Sequence, residues 1–342
     1  MGSEAGPAGA GGPAPAGPLV YHREQLVPAQ AATLPVGSIA LRYGISVFEG
    51  VRLYRQEAPG LGLRPWLLDQ HLDRLRNSCR LMLLDDTCCD DVPRIIDELV
   101  AVNDTQVDSY ARIAVSAVDA GGIGDGSEAA LTVSVTPSGR KRWLRDGEGL
   151  RLTVSSWQRP SSAVFPSAAK NISAYAGPRL ALAQAVAAGF DSCLLCTAEG
   201  LVSEAPTATV FLAEGTRLVT PRLGDAVLPG ISRAWVLATA PRLGLSVAEE
   251  AVTPDRIRQA DEVFLCGTGI EFGPVREVEG YTPARWPQRP ATAQLVAAYF
   301  DQVRGTAASN LVTWSVKDGP DGLVTGPDEQ ADPVGQPGYG RC

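Results

Sequence analysis

Three lysines occur among the 342 residues, Lys141, Lys170 and Lys317, and the middle one is set apart by its neighbours. Residues 165–175 read Phe-Pro-Ser-Ala-Ala-Lys-Asn-Ile-Ser-Ala-Tyr, so Lys170 sits among small and apolar groups. Such surroundings disfavour an ammonium ion, which makes Lys170 a candidate amine nucleophile for Schiff-base chemistry. Taken alone, the run reads more readily as a surface lysine beside a strand end. Three patterns downstream bear on the choice. Residues 228–232, Leu-Pro-Gly-Ile-Ser, lead into an apolar-periodic stretch with Trp235, Leu237 and Ala238. Free N–H groups at such a helix start, with the helix dipole, form a cup for an anion; Gly230 allows close approach and Ser232 adds a hydroxyl. An ordinary N-cap has the same pattern. Residues 266–269, Cys-Gly-Thr-Gly, present a second Gly-flanked hydroxyl after a strand-like run, although such turns are common. Glu204, next to Ser203, puts a carboxylate at the approach to another β run.

The elements that must hold these groups are a mixture of helices and strands. Leu68, Leu72, Leu75, Cys79 and Met82 recur at steps of four and three, the spacing of one helical face. Ile95, Ile96, Leu99 and Val102 do the same after Pro93, which suits a first helical turn. Further helices are expected near 176–188, 232–242 and 293–303. Strands are expected at 46–54, 111–118, 131–135, 150–157, 191–197 and 207–213. The order predicts an α+β protein without the βαβ regularity of a doubly wound sheet. Residues 1–18, rich in Gly, Ala and Pro, read as a disordered leader. A first domain over 19–137, a polar Gly-bearing linker over 138–148 and a second domain over 149–304 follow. The extension 305–342 is polar except for a strand-like run at 311–316.

Composition removes several function classes. A net charge of −8 with no basic stripe argues against a nucleic-acid partner. No stretch approaches the roughly 18 apolar residues of a membrane span. With two histidines, His22 and His71, a histidine-rich metal cage is not available, and both read as structural. Seven cysteines without a secretory leader point to reduced thiols and a cytoplasmic protein. Cys193 and Cys196 match a redox spacing, but they lie in a strand-like run rather than at a helix start.

A pyridoxal phosphate site requires an anion cup, a lysine for the aldehyde and a carboxylate for the ring nitrogen, and this chain offers all three. From about residue 19 to 304 it resembles a class IV (fold-type IV) pyridoxal-phosphate aminotransferase, closest to the branched-chain amino acid enzymes. The resemblance rests on 43–50 (Tyr-Gly-Ile-Ser-Val-Phe-Glu-Gly), 71–75 (His-Leu-Asp-Arg-Leu), 110–112 (Tyr-Ala-Arg), 155–157 (Ser-Ser-Trp) and 166–170 with Tyr175. Residues 203–204, 228–233 and 267–268 complete it, in the family's order. It implies two domains, a small α/β sandwich and a larger one with a β-barrel-like core. It implies pyridoxal 5′-phosphate on Lys170, which then moves the proton between Cα and C4′. Glu204 would hold the ring nitrogen's proton and Tyr175 the 3′-oxygen. Arg74, the N–H groups of Ile231 and Ser232, and Thr268 would bind phosphate, with Leu228, Gly230 and Gly267 shaping the cofactor site. The substrate would lie against Tyr43, Phe48, Tyr110, Thr268 and Gly269, with Arg112 accepting a second carboxylate. Family active sites borrow residues from a neighbouring subunit, so a homodimer or higher homo-oligomer is implied, with Tyr43 and the 121–126 loop as contributors.

The chain departs from that family in three places. Residues 205–209 read Ala-Pro-Thr-Ala-Thr where a Gly-rich stretch with an asparagine is usual, and the 305–342 extension has no counterpart. Residues 138–142 lack the aromatics that wall the branched-chain pocket, which predicts a wet, basic wall unless Trp143 rebuilds it. The leading reading is transamination between an amino acid and a 2-oxo acid, with an altered side-chain pocket and a specialised biosynthetic substrate allowed. The alternatives are a D-amino acid or amine transaminase, an aminodeoxychorismate-lyase-like enzyme and, from another class, a non-catalytic cofactor-binding interaction protein.

Overall fold

The computed structural model describes residues 17–57, 62–124 and 128–305. Most of the leader, the extension with its 311–316 run and Lys317, and the end of the 121–126 loop lie outside the described residues. A short helix α1 (Ile39–Tyr43) introduces the first half. There β1 (Leu19–His22), β2 (Gln25–Pro28), β3 (Ser46–Arg55), β4 (Leu63–Pro65), β5 (Ser109–Ala117) and β6 (Ala129–Pro137) form one antiparallel sheet, ordered β2-β1-β6-β5-β3-β4. Alternation along the strands gives each face its character. Val47, Val51 and Leu53 of β3, with Ala111, Ile113 and Val115 of β5, are fully buried on one face. Helices α2 (Leu68–Leu81) and α3 (Val92–Val102) cover that face with Leu72, Leu75 and Cys79, and with Ile95, Ile96 and Leu99. Each buried Leu or Ile contributes roughly 1.5–3 kcal/mol, so packing holds these helices more than intrinsic propensity does.

The opposite face, with Phe48, Gly50 and Arg52 of β3 and Tyr110 and Arg112 of β5, turns toward the second half. A short helix α4 (Arg142–Arg145) lies between the two halves. The second sheet contains β7 (Leu150–Gln158), β8 (Ser192–Cys196), β9 (Thr209–Glu214), β10 (Arg217–Pro221), β11 (Ser246–Glu250), β12 (Glu262–Gly267) and β13 (Glu271–Val278). Their order is β11-β10-β9-β12-β13-β7-β8. Helices α5 (Ala176–Ala187), α6 (Ile231–Thr239), α7 (Pro254–Gln259) and α8 (Pro290–Val303) accompany it. Residues 202–204 bridge the two sheet edges. Ser203 and Glu204 exchange backbone bonds with Leu195 on β8, while Val202 N–H donates to the Val252 carbonyl just beyond β11. That strip curls the sheet toward a barrel.

The α+β class read from the sequence is the class observed, with one difference. β7–α5–β8 and β10–α6–β11 are parallel crossover units, so βαβ units are present after all. Cys193 and Cys196 lie buried on β8 as free thiols, and burial pushes Cys193 up to about 11. Among the described residues, no helix is long and apolar enough to cross a membrane.

The two halves are fastened by buried polar contacts. Arg52 donates to Glu271 at 3.1 Å, Tyr54 donates to the same carboxylate at 2.8 Å, and the Tyr54 and Tyr299 hydroxyls meet at 2.9 Å.

Candidate active site

Between the two sheets lies a cavity of about 490 Å³, within the size range of small-molecule sites. Lys170 reaches it from a loop of the second half whose backbone is pinned to the first. Its N–H donates to Ser78 Oγ on α2 at 3.0 Å, and its carbonyl accepts from Phe48 N–H on β3 at 3.0 Å. Its Nζ donates to the Tyr175 hydroxyl at 2.8 Å and lies 4.8 Å from the Phe48 ring centroid. Tyr175 ends a 3-10 turn (Ile172–Tyr175) that Asn171 caps through its side chain. Glu204 is buried at the same end. Its Oε1 lies 2.7 Å from Arg159 Nη2, and its Oε2 accepts from Leu228 N–H at 3.4 Å. Burial pushes this carboxyl above the usual range, while Arg159, Lys170 and the Leu228 N–H pull it down.

At the other end Gly230 is the N-cap of α6 and supplies no side chain, so the N–H groups of Ile231 and Ser232 are left open. A Cβ at Gly230 would lie 3.1 Å from Thr209 Oγ1 and 3.3 Å from Arg233 Cβ, which makes glycine the fitting residue. Arg74 of α2 crosses to this loop and donates from Nη1 to the Pro229 carbonyl at 2.9 Å. Gly267 ends β12, Thr268 and Gly269 begin the turn to β13, and all three line the same cavity. A Cβ at Gly267 would lie 3.3 Å from the Thr207 carbonyl.

Phe48, Tyr110 and Arg112 line the remaining wall, with the Arg112 guanidinium 4.0 Å from the Phe48 ring centroid. Gly50 makes room for Tyr110, because a Cβ there would run into the tyrosine hydroxyl. Tyr43, read as a contributor to a neighbour's site, does not line its own chain's cavity: α1 ends at Tyr43, and the tyrosine stands 38% exposed, its hydroxyl accepting from Arg42 Nη2 at 2.8 Å. One expectation fails within this chain. Residues 138–142 are absent from the lining. Ser138 Oγ is held by Arg52 Nη1 at 2.5 Å, and Trp143 Nε1 donates to the Phe272 carbonyl at 2.8 Å, so neither a basic wall nor a tryptophan wall forms. Three residues at the site were given no site role by the sequence reading. Arg159 carried no sequence signal. Glu49 interrupts the apolar alternation Val47, Val51, Leu53, and His71 sits on the apolar face of α2; both are buried beside Arg74.

The donor set suits a phosphorylated pyridine aldehyde. It has an amine beside a phenol, a buried carboxylate opposite, and a glycine-lined helix start with an arginine over it. Among the described residues no group of His, Cys, Asp and Glu could hold a metal ion. Comparison with known proteins agrees with this chemistry. The family model "Amino-transferase class IV" matches residues 46–278. The branched-chain-amino-acid aminotransferase of Pseudomonas aeruginosa is 32% identical over 299 residues, covering 84% of this chain and 93% of that protein. The branched-chain aminotransferase of Thermoproteus uzoniensis, solved with norvaline, is 30% identical with a TM-score of 0.78, covering 85% of this chain and 96% of that one. The branched-chain amino acid aminotransferase of Thermobaculum terrenum, solved in its PLP form, is 28% identical with a TM-score of 0.77, covering 85% and 95%. The chain belongs to the class IV aminotransferases. It is a pyridoxal-phosphate-dependent transaminase of the branched-chain type.

Proposed function

We propose that the chain exchanges the amino group of a branched-chain or related amino acid with 2-oxoglutarate in the cavity between its sheets, as a step of amino acid biosynthesis. The observation that carries this reading is the Lys170–Tyr175 pair sharing one cavity with the buried Glu204 carboxylate. When bound, the cofactor supplies the aldehyde that takes the amino group and the ring that accepts the electron pair of the broken Cα–H bond. Lys170 would hold the cofactor at its aldehyde carbon, with its amine placed to carry a proton between the two reacting carbons. Tyr175, which accepts a hydrogen bond from Lys170 Nζ, orients the amine and would meet the 3′-oxygen. Glu204 would face the ring nitrogen's proton, with Arg159 aiming the carboxylate and opposing the upward push of burial. Arg74, the Ile231 and Ser232 N–H groups and Thr268 would grip the phosphate, with Leu228 and Gly230 shaping the loop. The turn 267–269 and Tyr110 receive the substrate carboxylate.

Phe48, Ile172 and Ala208 offer apolar surface to an aliphatic side chain, and Arg112 a cation to a side-chain carboxylate. Another branched-chain amino acid aminotransferase of this fold, 30% identical with a TM-score of 0.77, has been solved both with 4-methylvaleric acid and with N-(5′-phosphopyridoxyl)-L-glutamate, one aliphatic and one acidic occupant. With residues 138–142 turned away, any altered preference rests on the 205–209 segment, whose Thr207 is exposed to the cavity. A panel of leucine, isoleucine, valine, glutamate and aromatic donors tests the assignment. Arg112→Ala should cost glutamate roughly tenfold or more in kcat/KM while sparing leucine, since a hydrogen bond to a charged group contributes about 1.5–3 kcal/mol. Equal losses for both donors would remove Arg112 from the side-chain pocket.

The same reading divides the chain into domains at 19–137 and 149–304 and makes it at least a homodimer. Arg42 ties Tyr43 to the Ala120 and Gly121 carbonyls at 3.4 and 3.5 Å, beside the exposed Leu41 and Ile123, so tyrosine and loop form one unit free to enter a neighbour's site. A cytoplasmic setting, with neither a nucleic-acid nor a membrane partner, is part of the proposal. The six described cysteines, all free thiols, support it.

A further inference from the structure

Glu49 is a fully buried carboxylate on the apolar face of β3, where an unpaired charge would not be tolerated. Its partners come from α2. Arg74 donates from Nε to Oε1 at 2.6 Å and from Nη2 to Oε2 at 2.9 Å, and His71 Nδ1 meets Oε2 at 2.7 Å. With its Nη1 bond to the Pro229 carbonyl, Arg74 uses three of the five N–H donors of a guanidinium. The other two, one on each terminal nitrogen, are held in a fixed plane at the cavity wall.

His71 lies behind the cavity wall and touches one of its residues, its Nε2 3.5 Å from Thr268 Oγ1. An ionised carboxylate only accepts, so Nδ1 carries a proton toward Glu49. If the ring is neutral, Nε2 is bare and the single Thr268 proton is the one available to that contact. If the ring is protonated, Nε2 donates to Thr268 and the hydroxyl proton is released toward the cavity.

We propose that Glu49 and His71 are positioning residues of the phosphate cup: Glu49 fixes the Arg74 fork, and His71 takes up a proton as the phosphate enters, turning the Thr268 hydroxyl onto it. The proposal rests on the reading of Thr268 and Arg74 as phosphate ligands. The charged groups facing the imidazole are Glu49 on β3, Arg74 on its own helix and Lys170 from the loop across. Burial, aided by Arg74 and Lys170, holds the ring below its usual value against the pull of Glu49, which favours the neutral imidazole. A phosphate monoester above pH 7 brings nearly two negative charges. Glu49 already balances Arg74, so the incoming dianion is left to the helix start and to a proton on His71.

The test uses the fact that the chain has two histidines, His22 and His71. In full-length protein labelled with 15N at histidine, two imidazoles are observed, and His22→Asn assigns them. At pH 8, His71 should show one bare ring nitrogen without ligand and two protonated nitrogens with pyridoxamine 5′-phosphate, which cannot condense with Lys170. Calorimetry in buffers of differing ionisation enthalpy should find about one proton more taken up by wild type than by His71→Asn. Thr268→Val should weaken pyridoxamine 5′-phosphate binding roughly tenfold or more and leave His71 neutral on loading, a result independent of whether His71→Asn folds. Tight binding with His71 neutral in both states overturns the proposal. Tight binding unaffected by Thr268→Val instead overturns the reading of Thr268 as a phosphate ligand, and this proposal with it.

Discussion

Replacing Glu204 by glutamine perturbs two properties at once, and the structure separates them. The carboxylate pairs with Arg159 at 2.7 Å, each side chain about 10% exposed, so the amide leaves a nearly buried guanidinium without its counter-charge. Breaking a buried ion pair from one side costs about 3–5 kcal/mol. Arg159 also points two N–H groups at the Ala226 carbonyl, both at 3.4 Å, and borders the cavity, where water reaches it. The expected loss of stability is therefore smaller, about 1–3 kcal/mol. Turnover should fall by two or more powers of ten, about 2.7 kcal/mol of barrier, because an amide cannot keep the ring nitrogen protonated. Urea unfolding reads the first quantity. Stopped-flow absorbance of the bound cofactor after mixing with leucine reads the second. The double variant Arg159→Gln/Glu204→Gln should recover stability while staying slow. A wild-type half-reaction rate in Glu204→Gln, or its return in the double variant, would refute the pairing of Glu204 with the ring nitrogen.

Lys170→Ala should abolish turnover while still retaining cofactor non-covalently, and borohydride reduction of wild type followed by peptide mapping should label Lys170; a label on Lys141 or Lys317 would overturn the assignment. For Glu49, burial alone would raise the carboxyl, but Arg74 and His71 together hold it well below the usual range. A depressed acid stabilises the fold above its unfolded value, about 4.3, and that contribution is lost as pH falls toward the folded value. Glu49→Gln should therefore flatten the fall in stability below about pH 4.3, and urea midpoints retaining the wild-type acid slope would count against the buried pair. Light scattering should find active protein as a dimer or larger, and active monomers would contradict a site completed by Tyr43 of a second copy.

The helices and the central strands of the first sheet were legible because their apolar spacing is local. The run from Leu68 to Met82 predicts a helix, and α2 buries Leu72, Leu75 and Cys79 on the predicted face. β13 was not legible. It contains Gly273 and Pro274, which argue against a strand, yet Pro274 pairs opposite Phe264 within the sheet. The parallel crossovers through α5 and α6 join segments whose partners lie far along the chain, and no local period marks them. Residues 138–142 misled for a similar reason. Their composition suggests a wet wall, but Arg52, from the other end of the first sheet's sequence, takes the Ser138 hydroxyl and turns the segment away.

The site itself was legible as a set of residue types and much less as an arrangement. Lys170, Glu204 and the 228–232 loop announce an amine, a carboxylate and an anion cup, but where each points is decided between the halves. Lys170 belongs to the second half, yet Ser78 and Phe48 of the first hold its N–H and carbonyl. Arg74 belongs to the first, yet the Pro229 carbonyl of the second takes one of its donors. A shift of the sheets would therefore move the amine and the anion clamp in concert, relative to Glu204 and α6. The buried Arg52–Glu271 contact opposes such a shift, and Glu271 follows directly on the 268–270 turn that carries Thr268. Glu49, His71 and Arg159 received no site role from the sequence because their partners are set by this docking, although Glu49 and His71 stand within matched motifs.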